Sequence, residues 1–506
     1  MVAPDFIING FQLPLPLAVL LLGGLASPIV GILSRKFEVK KIQEAWMVIV
    51  SASALAAVYL LYQTVKATAN EILVIGMWGQ APPLSGCFEI DMLSVFMVGS
   101  IAFLGLLVAV YSVSYMEKET RLTEFYTLVT FMMAGMTGIV MAGDLFTLFV
   151  FWELMGLSSY ALVAFLKKTW GPIEAGFKYL MMSATAGAFL LLSMAIIYGM
   201  TGSLNFAVIA DSLRGAPSSP WIIILFSTLV VGFGVKSAIV PMHTWLPDAH
   251  PEAPSPISAL LSGIVIETGL YALTRVLFLA FEPGMFKLPM AFLAVLTMTL
   301  ANVTALLQSD IKRMLAYSSI AQIGYMLIGL AAGTAYGVMG LFLHVFNHSI
   351  MKGVAFLASG SIVHETGTRD IKSLRGVGKM MPLTSLCLFI ALLGLGGVPG
   401  TNGFISKYHL FSAAFGSGLG WLGIMGVLNS ALSMAYYIRV MQVLMASPDE
   451  GFKAHEAPVL MVAVTVVMAV IIVFLGVWPA PIISFATDAS EALVNGLSTF
   501  IGAVLG

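Results

Sequence analysis

The stretch VGFGVKSAIVPMHTWLPDAHPEAPSP, residues 231–256, begins as an apolar run and is then broken by Pro241, Pro247 and Pro251. Its apolar part also carries a lysine, Lys236. Proline removes a backbone hydrogen-bond donor and interrupts a helix, and unpaired backbone groups are not tolerated against lipid. The stretch therefore predicts a membrane span whose break lies inside protein or beside a wet cavity.

A second stretch has the same character. LLGLGGVPGTNGFISKYHLF, residues 392–411, contains Pro399, several glycines and Lys407. Broken helices in corresponding positions of two halves are the best sequence indication of a transport site. We therefore predict two inverted five-helix repeats, TM4–8 and TM9–13, in which TM7 and TM12 are discontinuous and carry one lysine each. The alternative is that the prolines are ordinary kinks, packed against neighbouring helices.

The composition is that of a polytopic membrane protein. The 506 residues are 59% hydrophobic and 10% charged, with a mean hydropathy of +0.98, whereas a soluble domain is about 25% charged. Because about 20 apolar residues span a bilayer as a helix, we predict an all-α membrane protein with about fourteen spans. The predicted spans are 11–33, 43–65, 89–114, 123–142, 145–166, 175–200, 221–246, 254–281, 288–307, 315–332, 336–362, 382–410, 419–445 and 457–480.

These spans divide the chain into four parts. Residues 1–122 hold the N-terminal helices TM1–3, residues 123–281 the first repeat, TM4–8, and residues 288–445 the second repeat, TM9–13. Residues 446–506 hold TM14 and a C-terminal tail.

Basic loop residues predict the orientation in the cell (inner, cytoplasmic) membrane. With the N-terminus outside, fifteen Lys and Arg residues fall in cytoplasmic loops and three in the opposite loops, which is a clear positive-inside bias. An even number of spans then puts both termini outside. The fifteen are Arg35, Lys36, Lys40, Lys41, Lys118, Arg121, Lys167, Lys168, Lys312, Arg313, Arg369, Lys372, Arg375, Lys379 and Lys453, and the three are Lys66, Arg214 and Lys287.

Charged residues also lie deep within predicted spans: Glu153, Lys236, Glu267 and Lys407. A charge at bilayer depth costs about 2.5–3.5 kcal/mol on insertion scales, so it faces the protein interior and usually has a partner. Desolvation favours the neutral form of such groups and pairing favours the charged form, so a lysine between these effects can load and release a proton. The alternative is a static ion pair that fixes helix packing. For Lys178, at the start of its span, both interpretations remain open.

The segment LFLHVFNHSIMKGVAFLASG, residues 341–360, places His344, His348 and Lys352 on one face of a helix, at i, i+4 and i+8. Histidine titrates near neutral pH and suits proton relay. A metal site is a rival interpretation, although the chain has no H-E-x-x-H motif, and a packed, hydrogen-bonded histidine is another. Further charged residues are predicted to be solvated in loops: Asp248, Glu252, Asp310 and Lys312.

The chain has few groups for redox or nucleotide chemistry. Its only cysteines are Cys87 and Cys387, whereas iron–sulfur clusters need several thiolates at set spacings. The sequence has no Walker A motif and no G-x-G-x-x-G after a strand. We therefore expect no cofactor and no metal in this chain, and no nucleic-acid partner. Whether the chain belongs to an enzyme then depends on its partner subunits.

Seven stretches together resemble the antiporter-like subunit family, over about residues 85–480. This family includes the D component of Mrp-type Na+/H+ antiporters, the corresponding subunits of membrane-bound hydrogenases, and the proton-pumping subunits of complex I, among them M and N. The stretches are GDLFTLFVFWELMGLSSYAL (143–162), FKYLMMSATAGAFLLL (177–192), YGMTGSLN (198–205), KSAIVPMHTWLPDAHPEAPSPISALLSG (236–263), SDIKRMLAYSSIAQIGYM (309–326), HVFNHSIMKGVAFLASGSIVHETGTRDI (344–371) and GVPGTNGFISK (397–407).

The resemblance implies fourteen helices with inverted repeats, and it implies roles for matching residues. Glu153 and Lys236 match the Glu–Lys pair of the family. His344 and His348 match its central relay, and Lys407 matches the terminal group on TM12.

Glu267 departs from the family pattern, because most members carry a lysine at this position. A carboxylate inverts the charge of the TM8 site. It can take over proton exchange, pair with Lys236, or mark a branch with changed coupling. Our hypothesis is that Glu267 still titrates.

The resemblance implies a proton-translocating subunit of a multi-subunit membrane complex, with electron transfer or Na+ exchange in partner subunits. The assembly is of the Mrp, hydrogenase or complex I type, and the GDLF…FVFWE and MTGSLN segments are most similar to the Mrp D and hydrogenase branch. Two alternatives stay open. One is a self-contained cation/H+ secondary antiporter, and the other is a structural subunit of such a complex.

Overall fold

The computed structural model describes residues 5–8, 11–37, 41–68, 72–77, 86–167, 169–215, 219–448 and 454–505. Of the basic loop residues that predict the orientation, Lys40, Lys168 and Lys453 lie outside these ranges. Within the ranges, twelve helices are long and apolar enough to cross a membrane. In lipid, such segments satisfy their backbone hydrogen bonds internally by forming helices. The predicted class of an all-α, multi-pass membrane protein is confirmed.

The elements run along the chain in a single series. They are β1 (Asp5–Ile8), β2 (Phe11–Pro14), α1 (Leu15–Lys36), α2 (Ile42–Ala67), β3 (Leu73–Gly76), β4 (Cys87–Ile90), α3 (Met92–Tyr115), α4 (Leu122–Met141), α5 (Leu145–Val163), α6 (Trp170–Thr201), α7 (Phe206–Leu213), α8 (Pro220–Lys236), α9 (Leu246–Glu252), α10 (Ser255–Leu260), α11 (Ile266–Ala280), α12 (Pro283–Leu306), α13 (Ile311–Ala332), α14 (Ala335–Thr366), α15 (Val377–Met380), α16 (Pro382–Gly396), α17 (Asn402–Gly416), α18 (Gly420–Met445), α19 (Val459–Val477), α20 (Ala480–Val494) and α21 (Leu497–Leu505).

The two predicted breaks are present in the backbone. Helix α8 ends at Lys236, and the chain is irregular until α9 begins. Helix α16 ends just before Gly397, whose φ of +82° suits glycine, and α17 begins at Asn402. Lys236 is the last residue before its break, whereas Lys407 lies in the helix that follows the other break. The two lysines are therefore not at equivalent positions in their broken spans.

Two parts of the chain repeat one local arrangement about 165 residues apart. The 32-residue helices α6 and α14 each end at a glycine in the left-handed conformation. Shortly after that glycine, an isolated bridge returns to the aspartate that begins the preceding helix, as Asp144–Asn205 and as Asp310–Asp370. This recurrence supports the predicted repeats. The count of fourteen spans and the bounds of the four parts stay predictions.

Short strands were not predicted. Strand β1 pairs antiparallel with β2, and β3 pairs antiparallel with β4. The predicted span 89–114 therefore begins in a strand, and α3 starts only at Met92. Asp91 accepts a hydrogen bond from Ser94 N at 2.8 Å, and aspartate is a strongly preferred residue just before a helix.

The most deeply buried helices lie at the centre of the protein. The span Ser255–Ala280 is entirely buried, and α13 and α14 are nearly so. In this span a single π turn, Leu261–Val265, separates α10 from α11. Helix α20 of the C-terminal tail packs against α3 and α14. Polar groups on α11, α13 and α14 are therefore shielded from lipid by other helices.

Candidate functional site

Lys236 lies at the end of α8 in a cage of aromatic rings. Its Nζ is 4.9 Å from the ring centroid of Tyr179, 5.2 Å from that of Tyr160 and 5.7 Å from that of Trp152. An ammonium group over an aromatic face is attracted by the ring quadrupole. Its hydrogen-bond partner is Ser183 Oγ, at 3.4 Å. The cage can therefore hold a charged lysine without an adjacent carboxylate.

Glu153 lies on α5, one residue from Trp152 of this cage. Its side chain is half-buried and points towards α6, where a Cβ at Gly187 would lie 3.2 Å from Glu153 Oε1. Within the described residues, no ion pair of 4.0 Å or less joins Glu153 to Lys236. The pair implied by the family resemblance is therefore two neighbouring groups rather than a salt bridge.

Glu267 forms a direct contact across the centre of the protein. It follows the π turn on α11, is fully buried, and its Oε1 contacts His348 Nδ1 on α14. Glu267 Oε2 and His348 Nε2 have no hydrogen-bond partner in the described part of the chain. Of the roles considered for Glu267, pairing with Lys236 is therefore not what the structure shows. A carboxyl and an imidazole in contact can share one proton.

His344 continues this series on the same face of α14. The ring centroids of His344 and His348 are 6.1 Å apart. His344 Nδ1 lies 2.8 Å from Ser406 Oγ, and its Nε2 lies 3.0 Å from Gln322 Oε1. Because Gln322 donates through its amide nitrogen to the Leu395 carbonyl at 3.0 Å, its oxygen faces the ring. The Nε2–H of His344 is therefore the donor, and Nδ1 is free to accept from Ser406.

Lys407 uses the same backbone carbonyl. Its Nζ donates to Leu395 O at 2.7 Å and to Ser430 Oγ at 2.9 Å, and it lies 4.4 Å from the ring centroid of Tyr325. The last carbonyls of a helix lack partners within it, so the end of α16 is free to accept from both Gln322 and Lys407. A cavity of about 490 Å³ between α17 and α18 has Lys407 in its wall.

Lys352 branches away from this series. It lies one turn beyond His348 on α14 and is fully buried. Its Nζ donates to Ser318 Oγ at 2.7 Å and to Leu315 O at 2.9 Å, both on α13. Ser318 in turn contacts the hydroxyl of Tyr437. Lys352 therefore shares a helix face with the histidines, but the groups that it bonds on α13 are not those that His344 and Lys407 use.

Lys178 is a surface residue. Its side chain is 48% exposed, and it pairs with Glu174 at 2.8 Å and Asp248 at 3.0 Å. Exposed ion pairs contribute at most about 1 kcal/mol to stability. The geometry favours the structural interpretation of this lysine.

The prediction that Lys312 is solvated in a loop was wrong. Lys312 is only 3% exposed and donates to Ala253 O at 2.6 Å. The backbone after α9 presents carbonyls that lack partners within the helix, which explains why a lysine is buried there. Its neighbours Glu252 and Asp310 are partly buried, and each lies 3.2 Å from Arg369.

Some groups of the site gave no signal in the sequence. Ser406 and the aromatic residues around Lys236 were not identified, because serine and aromatic residues occur throughout membrane spans. Gln322 was recognisable as one of several polar residues in the predicted span 315–332, together with Tyr317, Ser318 and Ser319.

The comparisons with known proteins cover most of the chain. The family described as NADH:quinone oxidoreductase/Mrp antiporter, TM, matches residues 142–433. The family described as NADH-Ubiquinone oxidoreductase (complex I), chain 5 N-terminus, matches residues 82–126.

Curated relatives match over similar lengths. F(420)H(2) dehydrogenase subunit N of Methanosarcina mazei is 35% identical over 453 residues, which cover 87% of this chain and 91% of that protein. NADH-quinone oxidoreductase subunit N of Trichlorobacter lovleyi is 38% identical over 397 residues, which cover 76% and 81%.

Solved structures share the fold. A chain of the membrane-bound sulfane sulfur reductase, an archaeal respiratory membrane complex, superposes with a TM-score of 0.87 at 29% identity, over 97% of this chain and 99% of that one. A chain of the Mrp complex from Dietzia sp. DQ12-45-1b superposes with a TM-score of 0.88 at 24% identity, over 98% and 100%.

Proposed function

Because the chain belongs to the NADH:quinone oxidoreductase/Mrp antiporter transmembrane family, we propose that it is a proton-translocating, antiporter-like subunit of a multi-subunit membrane complex. Its partners are other membrane subunits, which supply the driving force by electron transfer or by Na+ exchange. A dehydrogenase subunit and a chain of an Mrp complex are both among its relatives and structural neighbours.

One observation carries the proposal, namely the series of buried contacts from Glu267 to Lys407. The carboxyl of Glu267 contacts His348, whose ring faces His344, and Gln322 links His344 to the carbonyl that Lys407 also uses. An imidazole can take a proton at one nitrogen and release one from the other. In this proposal, Glu153 and Lys236 form the half of the path on the other side of Glu267.

The proposal also covers the position of the chain and its cofactors. The chain lies in the cell membrane with both termini outside, as the distribution of basic loop residues favours. In this proposal the chain carries no redox centre or metal of its own, and its two cysteines are too few for an iron–sulfur cluster. Any electron transfer is then the work of partner subunits.

The test is proton pumping by vesicles that carry the whole complex. Lys236→Ala is compared with wild type and with Lys372→Ala, a matched change at an exposed lysine, and native gels verify assembly. We expect Lys236→Ala to abolish pumping in an intact complex and Lys372→Ala to leave it unchanged. Wild-type pumping by assembled Lys236→Ala would mean that Lys236 is structural and that the subunit is a scaffold.

A further inference from the structure

The end of the molecule around β4 holds a second group of buried polar side chains, which the proposed path does not use. We call it the β4 cluster, and each of its members is at most 5% exposed. It comprises Cys87, Glu89, Asp91, Asp144, Asn205 and Arg275.

Most members of the β4 cluster have structural partners. Asp144 begins α5 by accepting from Thr147 N at 2.7 Å, and it also accepts from Cys87 N at 3.0 Å. Asp91 begins α3 and pairs with Arg275. The only cation of the cluster is therefore already matched by one carboxylate.

Glu89 is the carboxyl group of the cluster that neither pairs with Arg275 nor has both of its oxygens hydrogen-bonded among the described residues. Its Oε1 accepts from Asn205 Nδ2 at 3.1 Å, and its Oε2 has no hydrogen-bond partner within the described residues. A buried carboxylate without a paired cation is costly, and it avoids the cost by binding a proton. An unpartnered, fully buried oxygen thus indicates a proton as the ligand.

The surroundings of Glu89 also favour its protonated form on balance. Burial raises the pKa of Glu89 to about 8, and the Asp144 carboxylate adds to this effect, while Asn205, Arg275 and Cys87 oppose it. Two further titratable groups lie on this side of the cluster, namely Asp91, which follows the strand of Glu89, and Tyr271 on α11.

Helix α11 connects the β4 cluster to the centre. Glu267, Tyr271 and Arg275 follow each other at intervals of four residues and so lie on one helix face. With a rise of about 1.5 Å per residue, Arg275 is about 12 Å along the axis from Glu267. Tyr271 lies between them and donates to Val140 O at 2.8 Å. A polar stripe therefore runs from Glu267 to the cluster.

We propose that Glu89 is a further proton-binding site of this protein, linked to Glu267 along this face of α11. The carboxylate takes a proton from a hydronium ion, which leaves a neutral acid and a water molecule, and the reverse step returns the proton. The link to transport rests on the proposed function. Protonation of Glu89 itself does not.

The first test is infrared spectroscopy of the purified complex during a pH titration. We expect wild type to lose the carbonyl band of one protonated carboxyl group as the pH rises through about 8. Glu89→Gln keeps the acceptor for Asn205 and is expected to lack this component. Glu491→Gln, at an exposed position of α20, is expected to keep it. An unchanged titrating band in Glu89→Gln would overturn the proposal.

A second variant serves if Glu89→Gln does not assemble. Asn205→Ser removes the amide donor to Glu89, and serine still suits the position before α7. Because the amide favours the charged form of Glu89, its loss is expected to move the loss of the band to higher pH. A midpoint that does not move contradicts a protonated Glu89.

Proton pumping tests the link to Glu267. We expect Glu89→Gln to change the pH profile of pumping around pH 8, and an unchanged profile would overturn the link. The Lys236→Ala experiment separates this outcome from failure of the proposed function. If Lys236→Ala pumps normally, the function proposal fails, whereas the infrared band still decides whether Glu89 binds a proton.

Discussion

At the scale of single residues, this protein holds charge at membrane depth in two different ways. Lys236 is surrounded by three aromatic rings and one hydroxyl. Glu267 instead contacts an imidazole, with which it can share a proton. In the first case, ring quadrupoles stabilise the ammonium. In the second case, the charges on Glu267 and His348 depend on which of the two groups holds the shared proton.

Replacing Glu267 by glutamine tests whether this carboxyl titrates. Glutamine preserves the shape and can still bond to His348, but it cannot bind and release a proton. We expect pumping to fall by roughly 10²-fold, at the lower end of what positioned acid–base groups contribute. Pumping is measured in vesicles with assembly verified. Glu267→Gln at the wild-type rate would refute the hypothesis.

Glu89 predicts how stability depends on pH. Its pKa is about 8 in the folded protein against 4.5 ordinarily, so between these values the unfolded chain binds fewer protons than the folded one. The contribution of Glu89 to the free energy of unfolding is therefore fully present below pH 4.5. It falls by a few kcal/mol as the pH rises towards 8. We expect a flatter dependence of melting temperature on pH for Glu89→Gln in detergent. Glu491→Gln is the control, and equal slopes for wild type and Glu89→Gln would contradict this expectation.

At the scale of elements, the end of a broken helix supplies polar groups that an intact helix would use up. The terminal carbonyls of α16 lack partners within the helix, and Leu395 O accepts from Gln322 and Lys407. The break thus places a shared acceptor between the histidines and the terminal lysine. The π turn before Glu267 is a second local irregularity, and such turns are frequent at functional sites.

Substitutions at two glycines after α16 can distinguish the effect of backbone strain from the effect of a contact with Lys407. Gly397 has a φ of +82° and a Cβ there would lie 3.1 Å from Lys407 Cδ, whereas Gly400 has a φ of +88° and open space. Alanine at either position costs about 1–2 kcal/mol of strain. We expect both variants to melt at lower temperature but only Gly397→Ala to impair pumping. Equal effects on pumping would assign the loss to strain.

At the scale of the whole molecule, ionic and backbone contacts join the two predicted repeats at one end. From the second repeat, Arg369 pairs with Glu252 at the end of α9, and Lys312 donates to the carbonyl of Ala253, the next residue of the first repeat. Arg313 of the second repeat also pairs with Asp248 of α9, which pairs with Lys178 of its own repeat as well. The two halves are therefore fixed to each other beside the broken span of the first repeat.

Lys312→Met tests this connection. Methionine fills similar volume but leaves the buried Ala253 carbonyl without its donor, which costs about 1–3 kcal/mol. We expect a lower melting temperature in detergent for Lys312→Met, and no change for Lys372→Met at an exposed position. Equal melting of Lys312→Met and wild type would show that the contact contributes nothing to stability.

The sequence by itself determined the class of fold, because runs of apolar residues in lipid must form helices. It also determined where the broken helices are, because proline and glycine act on the local backbone. The buried charges were visible for the same local reason, since charge in an apolar run is rare and costly. Only the tertiary structure decided their partners. Glu267 contacts His348, Glu153 and Lys236 form no salt bridge, and Glu89 lies buried with no cation paired to it among the described residues. These are contacts between distant segments, and they depend on how the helices pack rather than on the sequence within each one.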